Sequence, residues 1–100
     1  MLDEFSQATF DGCLDSDFQI IENATPVCAL KLTDVIERTN TPRQETFSLL
    51  FHGPVAPFLP QGIRRLKHIE LGEMDIFLVP VGKEQDGFQY EAVFNRLLEP

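Results

Sequence analysis

The chain of 100 residues has no tryptophan, a single tyrosine and two cysteines. Two cysteines are too few for the disulfide framework that staples small secreted domains. The spacing of Cys13 and Cys28 fits no zinc pattern. Each reads as a small apolar residue with a reduced thiol. No stretch approaches the roughly 18 apolar residues of a membrane span, which excludes a membrane-spanning helix. Residues Met1 to Phe5 lack the basic start and apolar run of a signal peptide. The expectation is a cytoplasmic protein, or one exported without a signal peptide as part of an assembly. Bases are also scarce: eight Lys and Arg stand against sixteen Asp and Glu, a net charge of −8. That balance argues against nucleic acid as a partner, because such binding rests on neutralising phosphates. It favours basic partner surfaces.

Recognised chemical motifs are missing too. There is no P-loop, no dinucleotide fingerprint and no EF-hand loop. Glycines 12, 53, 62, 72, 82 and 87 are isolated and read as turn punctuation. Nucleophilic catalysis needs a base beside a nucleophile and a group that orients the base. The histidines are His52 and His68. Ser48 shares a strand face with His52 but lies about 13 Å from it, at roughly 3.3 Å per residue. His68, Glu70 and Glu73 lie close in sequence, but in an acidic chain such a group reads as surface charge. Acids are abundant and nothing selects a pair for glycoside chemistry. The expectation is therefore no enzyme, no catalytic residue, no cofactor and no metal.

What the chain does have is apolar alternation. Hydrophobic residues make up 43% of it, including nine Phe. Its length and composition describe one globular domain over residues 1–100 with a modest core. Leu2 to Leu14 has helical spacing at Leu2, Phe5, Thr9, Phe10 and Cys13, and Ser6 is placed to cap a start near Gln7. Phe18 to Glu22 is a first strand, followed by a turn at Asn23 to Pro26. Val27 to Arg38 is a second, with Cys28, Leu30, Leu32 and Ile36 on one face and Lys31, Thr33, Val35 and Glu37 on the other. Asp34 interrupts its apolar row and marks a bulge or the end of the buried part. Thr46 to His52, Gly62 to His68, Met74 to Val81 and Phe88 to Asn95 complete the set. A loop containing Pro42 precedes the third strand, and Asp86-Gly87 is a hairpin signal. Arg96 to Pro100 reads as a tail. Phe47, Leu49, Phe51, Ile76, Leu78, Phe88, Tyr90 and Phe94 are expected in one core. Phe77 has the opposite parity and is expected under the helix or at a partner surface. The fold class is mainly β: about six antiparallel strands forming a small barrel-like meander with a short N-terminal helix. Closure would also remove exposed strand edges.

Between Gly53 and Pro60 the prolines 54, 57 and 60 exclude a strand. That loop carries Val55, Phe58 and Leu59, which either close one end of the sheet or form a surface for a partner. The only basic cluster, Arg64, Arg65, Lys67 and His68, follows it. Phe58, Leu59, Arg64, Arg65, Lys67 and His68 are the candidate partner-binding residues, and the expected function is non-catalytic protein–protein interaction. A small-ligand-binding barrel is the alternative. It would need an interior too wide for side chains to fill.

Four stretches carry a family likeness: FSLLFHGP at Phe47–Pro54, LPQG at Leu59–Gly62, LGEMDIFLVPVG at Leu71–Gly82 and YEAVFN at Tyr90–Asn95. In these the chain resembles a family of small bacterial proteins classed as a domain of unknown function, over roughly Phe10 to Asn95. The resemblance implies a place in a tail- or fibre-like bacterial assembly, beside phage-tail-collar-like proteins. The partner would then be a tail-collar-like fibre protein or the chain itself. His52 stands where a basic residue is common in that family, and Ile63 where an aromatic is common. The shared motifs are structural, and the resemblance brings no catalytic residue.

Overall fold

A computed structural model of the chain describes residues 5–98. Helix α1 (Gln7–Asp11) precedes strands β1 (Asp17–Glu22), β2 (Thr25–Thr41), β3 (Gln44–Gly53), β4 (Gly62–His68), β5 (Gly72–Glu84) and β6 (Gly87–Leu97). All neighbouring strands pair antiparallel. The sheet closes on itself in the order β1-β2-β3-β6-β5-β4, so β4 also pairs with β1. Each half of the ring runs in sequence order, but β3 and β4 sit opposite one another across it. The chain therefore has to cross the mouth of the ring over residues 54–61.

The helix is shorter than its apolar spacing suggested. Ser6 is its N-cap: the Ser6 hydroxyl accepts from the Thr9 N–H at 3.2 Å, and the Thr9 hydroxyl accepts from the Ser6 N–H at 3.3 Å. This reciprocal box satisfies two donors that a helix start leaves orphaned. The helix stops at Gly12, so Cys13 lies in the turn that follows. Residues 2–4 of the expected helix, and residues 99–100 of the expected tail, lie outside the described residues.

β4 has the bounds its alternation suggested, and the other strands run longer, because the β1–β2, β2–β3 and β5–β6 hairpins turn on two residues each. Asn23 and Ala24 both have positive φ, 52° and 63°. That is the pattern of the mirror-image turns whose twist matches a hairpin. Pro42-Arg43 and Gln85-Asp86 make the other two. Arg96 and Leu97, expected in the tail, continue β6 against Glu45 and Gln44 of β3.

Inside the ring, Phe47, Leu49, Phe51, Ile76, Leu78, Tyr90 and Phe94 join one core, with Phe88 packed at its margin. Phe47 stacks on Phe94 at 5.2 Å, and Phe18 meets Phe51 edge-on at 5.4 Å. Phe10 of α1 drops into this array, 5.1 Å from Phe94 and 5.9 Å from Phe47. The helix thereby plugs one end. Each such ring withdrawn from water contributes about 1.5–3 kcal/mol. On β2 the register slips between Leu32 and Asp34. The bulge inverts the alternation beyond it, so Val35 packs on the core where Ile36 was expected.

At the other mouth, Gly53 and Gly87 allow close approach. A Cβ on Gly87 would collide with the Gly53 carbonyl oxygen, and one on Gly53 would press on Leu30 and Tyr90.

Candidate functional site

The crossing segment 54–61 covers that second mouth. Leu59 is buried, and its N–H donates to the Tyr90 hydroxyl at 3.0 Å. The bond satisfies a buried phenol that would otherwise be costly. Phe58 stays half-exposed and leans on Phe88 at 4.8 Å, while Val55 points outward. Leu59 thus serves closure, and Phe58 and Val55 remain on the surface.

The basic strip does not hold together as a strip. Strand parity divides it. Leu66 is buried, so its neighbours Arg65 and Lys67 face out, and His68 faces in. His68 is 1% exposed, and its ring lies tilted against Phe18 at 4.4 Å. This corrects its placement on one face with Arg65 and Lys67. Arg64 also belongs to the inner row, at the ring's mouth. There its guanidinium donates to the Pro60 carbonyl and to Glu22 at 3.4 Å. Its Nε is buried with no hydrogen-bond partner among the described residues.

His68 has a partner that sequence reasoning missed. Ser16 lies in a stretch without periodicity, yet its hydroxyl is 2.8 Å from His68 Nε2. By distance this is a Ser–His dyad. Its polarity is the reverse of a catalytic one. Nδ1 accepts from the Glu70 and Leu71 N–H groups at 3.1 and 3.2 Å, so in the neutral ring the proton sits on Nε2. That proton is donated to Ser16, whose own proton goes to the Cys13 carbonyl. A hydrolytic histidine must instead take the serine's proton. The array ties the β4–β5 turn to the segment after α1.

Among the described residues, two groups bring metal-ligand types together: Cys13, His68 and Glu70, and His52, Glu84 and Asp86. In the first, both imidazole nitrogens are already engaged. Burial, with the Glu70 carboxylate adding to it, pushes the Cys13 thiol up, away from the thiolate a metal needs. In the second, His52 Nε2 lies within hydrogen-bond distance of Asp86 at 3.2 Å and 3.7 Å from Glu84, two exposed carboxylates at the β5–β6 hairpin.

The outer face of β4 and β5 is different in kind. Three cross-strand pairs project from it: Ile63 with Phe77, Arg65 with Asp75, and Lys67 with Glu73. Ile63 is 72% exposed and Phe77 50%, so Phe77 does not sit under the helix. Arg65 grips Asp75 through two bonds of 3.0 and 3.2 Å and reaches Glu73 at 3.4 Å. The Arg65 hydrogen bond, with its positive charge, holds the Asp75 carboxyl below the ordinary carboxylate range against a smaller opposing effect of burial. A shallow groove runs beside these rows, between Ile21 and Pro26 on one side and Arg65 and Lys67 on the other.

Among the described residues, no helix is long and apolar enough to cross a membrane. A match to the family described as a domain of unknown function (DUF6916) covers residues 5–94. No curated protein and no solved structure matches the chain.

Proposed function

The chain belongs to the family described as a domain of unknown function, DUF6916, and from its surface we propose that it works as a non-catalytic protein–protein interaction and assembly module. The observation that carries this reading is the outward pair Ile63 and Phe77. They are cross-strand neighbours and are largely exposed, on a domain whose inner face already has its own core. Large apolar side chains placed together on an outer face mark docking surfaces. Arg65 and Lys67 beside them supply polar orientation. Phe58 and Val55 add a second exposed apolar site at the nearby mouth. Leu59, Arg64 and His68 are committed to closing the ring and joining its turns. The rings of Phe10, Phe18, Phe47, Phe51 and Phe94 occupy the interior, which weighs against the ligand-binding alternative.

The setting we propose, on the sequence resemblance alone, is a tail- or fibre-like bacterial assembly, with a tail-collar-like fibre protein or a copy of the chain as partner. A photo-crosslinking residue at position 77, introduced in the source cells, tests the reading, with position 31 on β2 as control. The expected result is a discrete protein adduct at 77 that is missing at 31. No adduct at 77, or the same adducts at both positions, would refute it.

A further inference from the structure

We infer that the outer β4–β5 face is self-complementary, and that its partner is a second copy of this chain. The inference rests on the interaction reading above and names the occupant. The three rows of the face each place unlike or matching groups at one height: Ile63 beside Phe77, Arg65 beside Asp75, Lys67 beside Glu73. In these rows both bases are on β4 and both acids on β5. A two-fold axis lying in the face, along the seam between the strands, carries β4 of one copy over β5 of the other without changing height. Ile63 then meets Phe77 of the second copy, Arg65 meets Asp75, and Lys67 meets Glu73. An isologous contact requires this kind of patch, in which each group finds its complement in the same patch rotated.

The charge distribution favours this face over others. The chain carries −8 overall, so two copies repel through most of their surface. The β4–β5 rows hold two bases and two acids and are locally neutral. The apolar pair supplies what is removed from water, and the charged rows set orientation more than strength. Sheets packed face to face cross at about 30°. Neighbouring rows are about 6.6 Å apart, so pivoting on the middle row displaces the outer rows by only about 3 Å. Arg, Lys and Glu side chains can follow that shift. A contact two strands wide on a convex ring is small, so the dimer is reversible and concentration-dependent.

Charge reversal on the purified chain gives the test, read by sedimentation equilibrium. Arg65→Glu with Lys67→Glu makes the face wholly acidic. Glu73→Lys with Asp75→Lys makes it wholly basic. The wild type is expected to rise with concentration from the mass of one chain toward that of two. Each variant alone is expected to stay single. Mixed in equal amounts, the two variants are expected to pair at least tenfold more tightly than either does with itself. All these positions are exposed, and circular dichroism of each variant checks that the ring is intact. A wild type that stays single up to millimolar concentration would overturn the inference. So would variants that self-associate like the wild type, or a mixture that does not pair. If the wild type stays single while position 77 crosslinks to a different protein, the second-copy inference falls and the interaction reading stands.

Discussion

The hydroxyl of Ser16 lies 2.8 Å from Nε2 of His68, and it accepts a hydrogen bond from the imidazole N–H while donating its own to the Cys13 carbonyl. A nucleophile's distance is thereby combined with a tether's polarity. Long-range ¹H–¹⁵N spectra of the imidazole are expected to display the Nε2–H form of neutral His68, and an Nδ1–H form would contradict the assignment. Ser16→Ala leaves a buried donor unpaired and is expected to cost about 1–3 kcal/mol in denaturant unfolding.

Phe10 is expected to behave as core although it sits on a five-residue helix. It is fully buried and lies within 6.5 Å of the rings of Phe5, Phe18, Phe47 and Phe94. Phe10→Ala should cost about 3–5 kcal/mol, measured by chemical denaturation with an unchanged baseline spectrum. A loss under about 1 kcal/mol would make α1 a loosely held arm.

Arg65 and Asp75 give a pH signature. The Asp75 carboxyl is held low in the fold, chiefly by the Arg65 hydrogen bond. What the pair adds to stability is therefore present above the unfolded carboxyl value of about 3.9, and is lost as pH falls through the lower folded value. Both groups face solvent, so that contribution is small and weakens with salt. In an NMR titration the Asp75 carboxyl should have its midpoint below the ordinary range, and Arg65→Ala should move it upward. A midpoint unchanged by the substitution would mean that the pair does not persist in solution.

Much of this architecture was legible from parity. Phe47, Leu49 and Phe51 alternate with Ser48 and Leu50, and that parity set the inward row, although Ser48 on the other face is covered too, where the Arg38 Nε–H donates to its hydroxyl. Ser6 was readable as a cap because its hydroxyl suits a helix start near Gln7. Parity would also have turned His68 inward, since it follows Leu66 by two; grouping it by charge with Lys67 obscured that. Val35 was not legible, because one extra residue at a bulge inverts the alternation up to a second register shift between Glu37 and Thr39, and leaves only Asp34 as its trace. The strand order was not legible either. Alternation fixes which face a residue takes and says nothing of which strand lies beside it. A Pro-rich segment such as 54–61 can turn back or cross the ring with the same composition. The β4–β5 face emerged only once pairing had set Ile63 against Phe77, and Arg65 against Asp75.

The most direct test of that face as an interaction surface is a dilution series of amide NMR spectra on the unmodified chain. Shifts that change with concentration should map to Ile63, Arg65, Lys67, Glu73, Asp75 and Phe77. Lys31 and Thr33 on β2 should hold still. Spectra that do not change at any concentration, or changes centred on Phe58 or Leu97 instead, would contradict a self-complementary β4–β5 face.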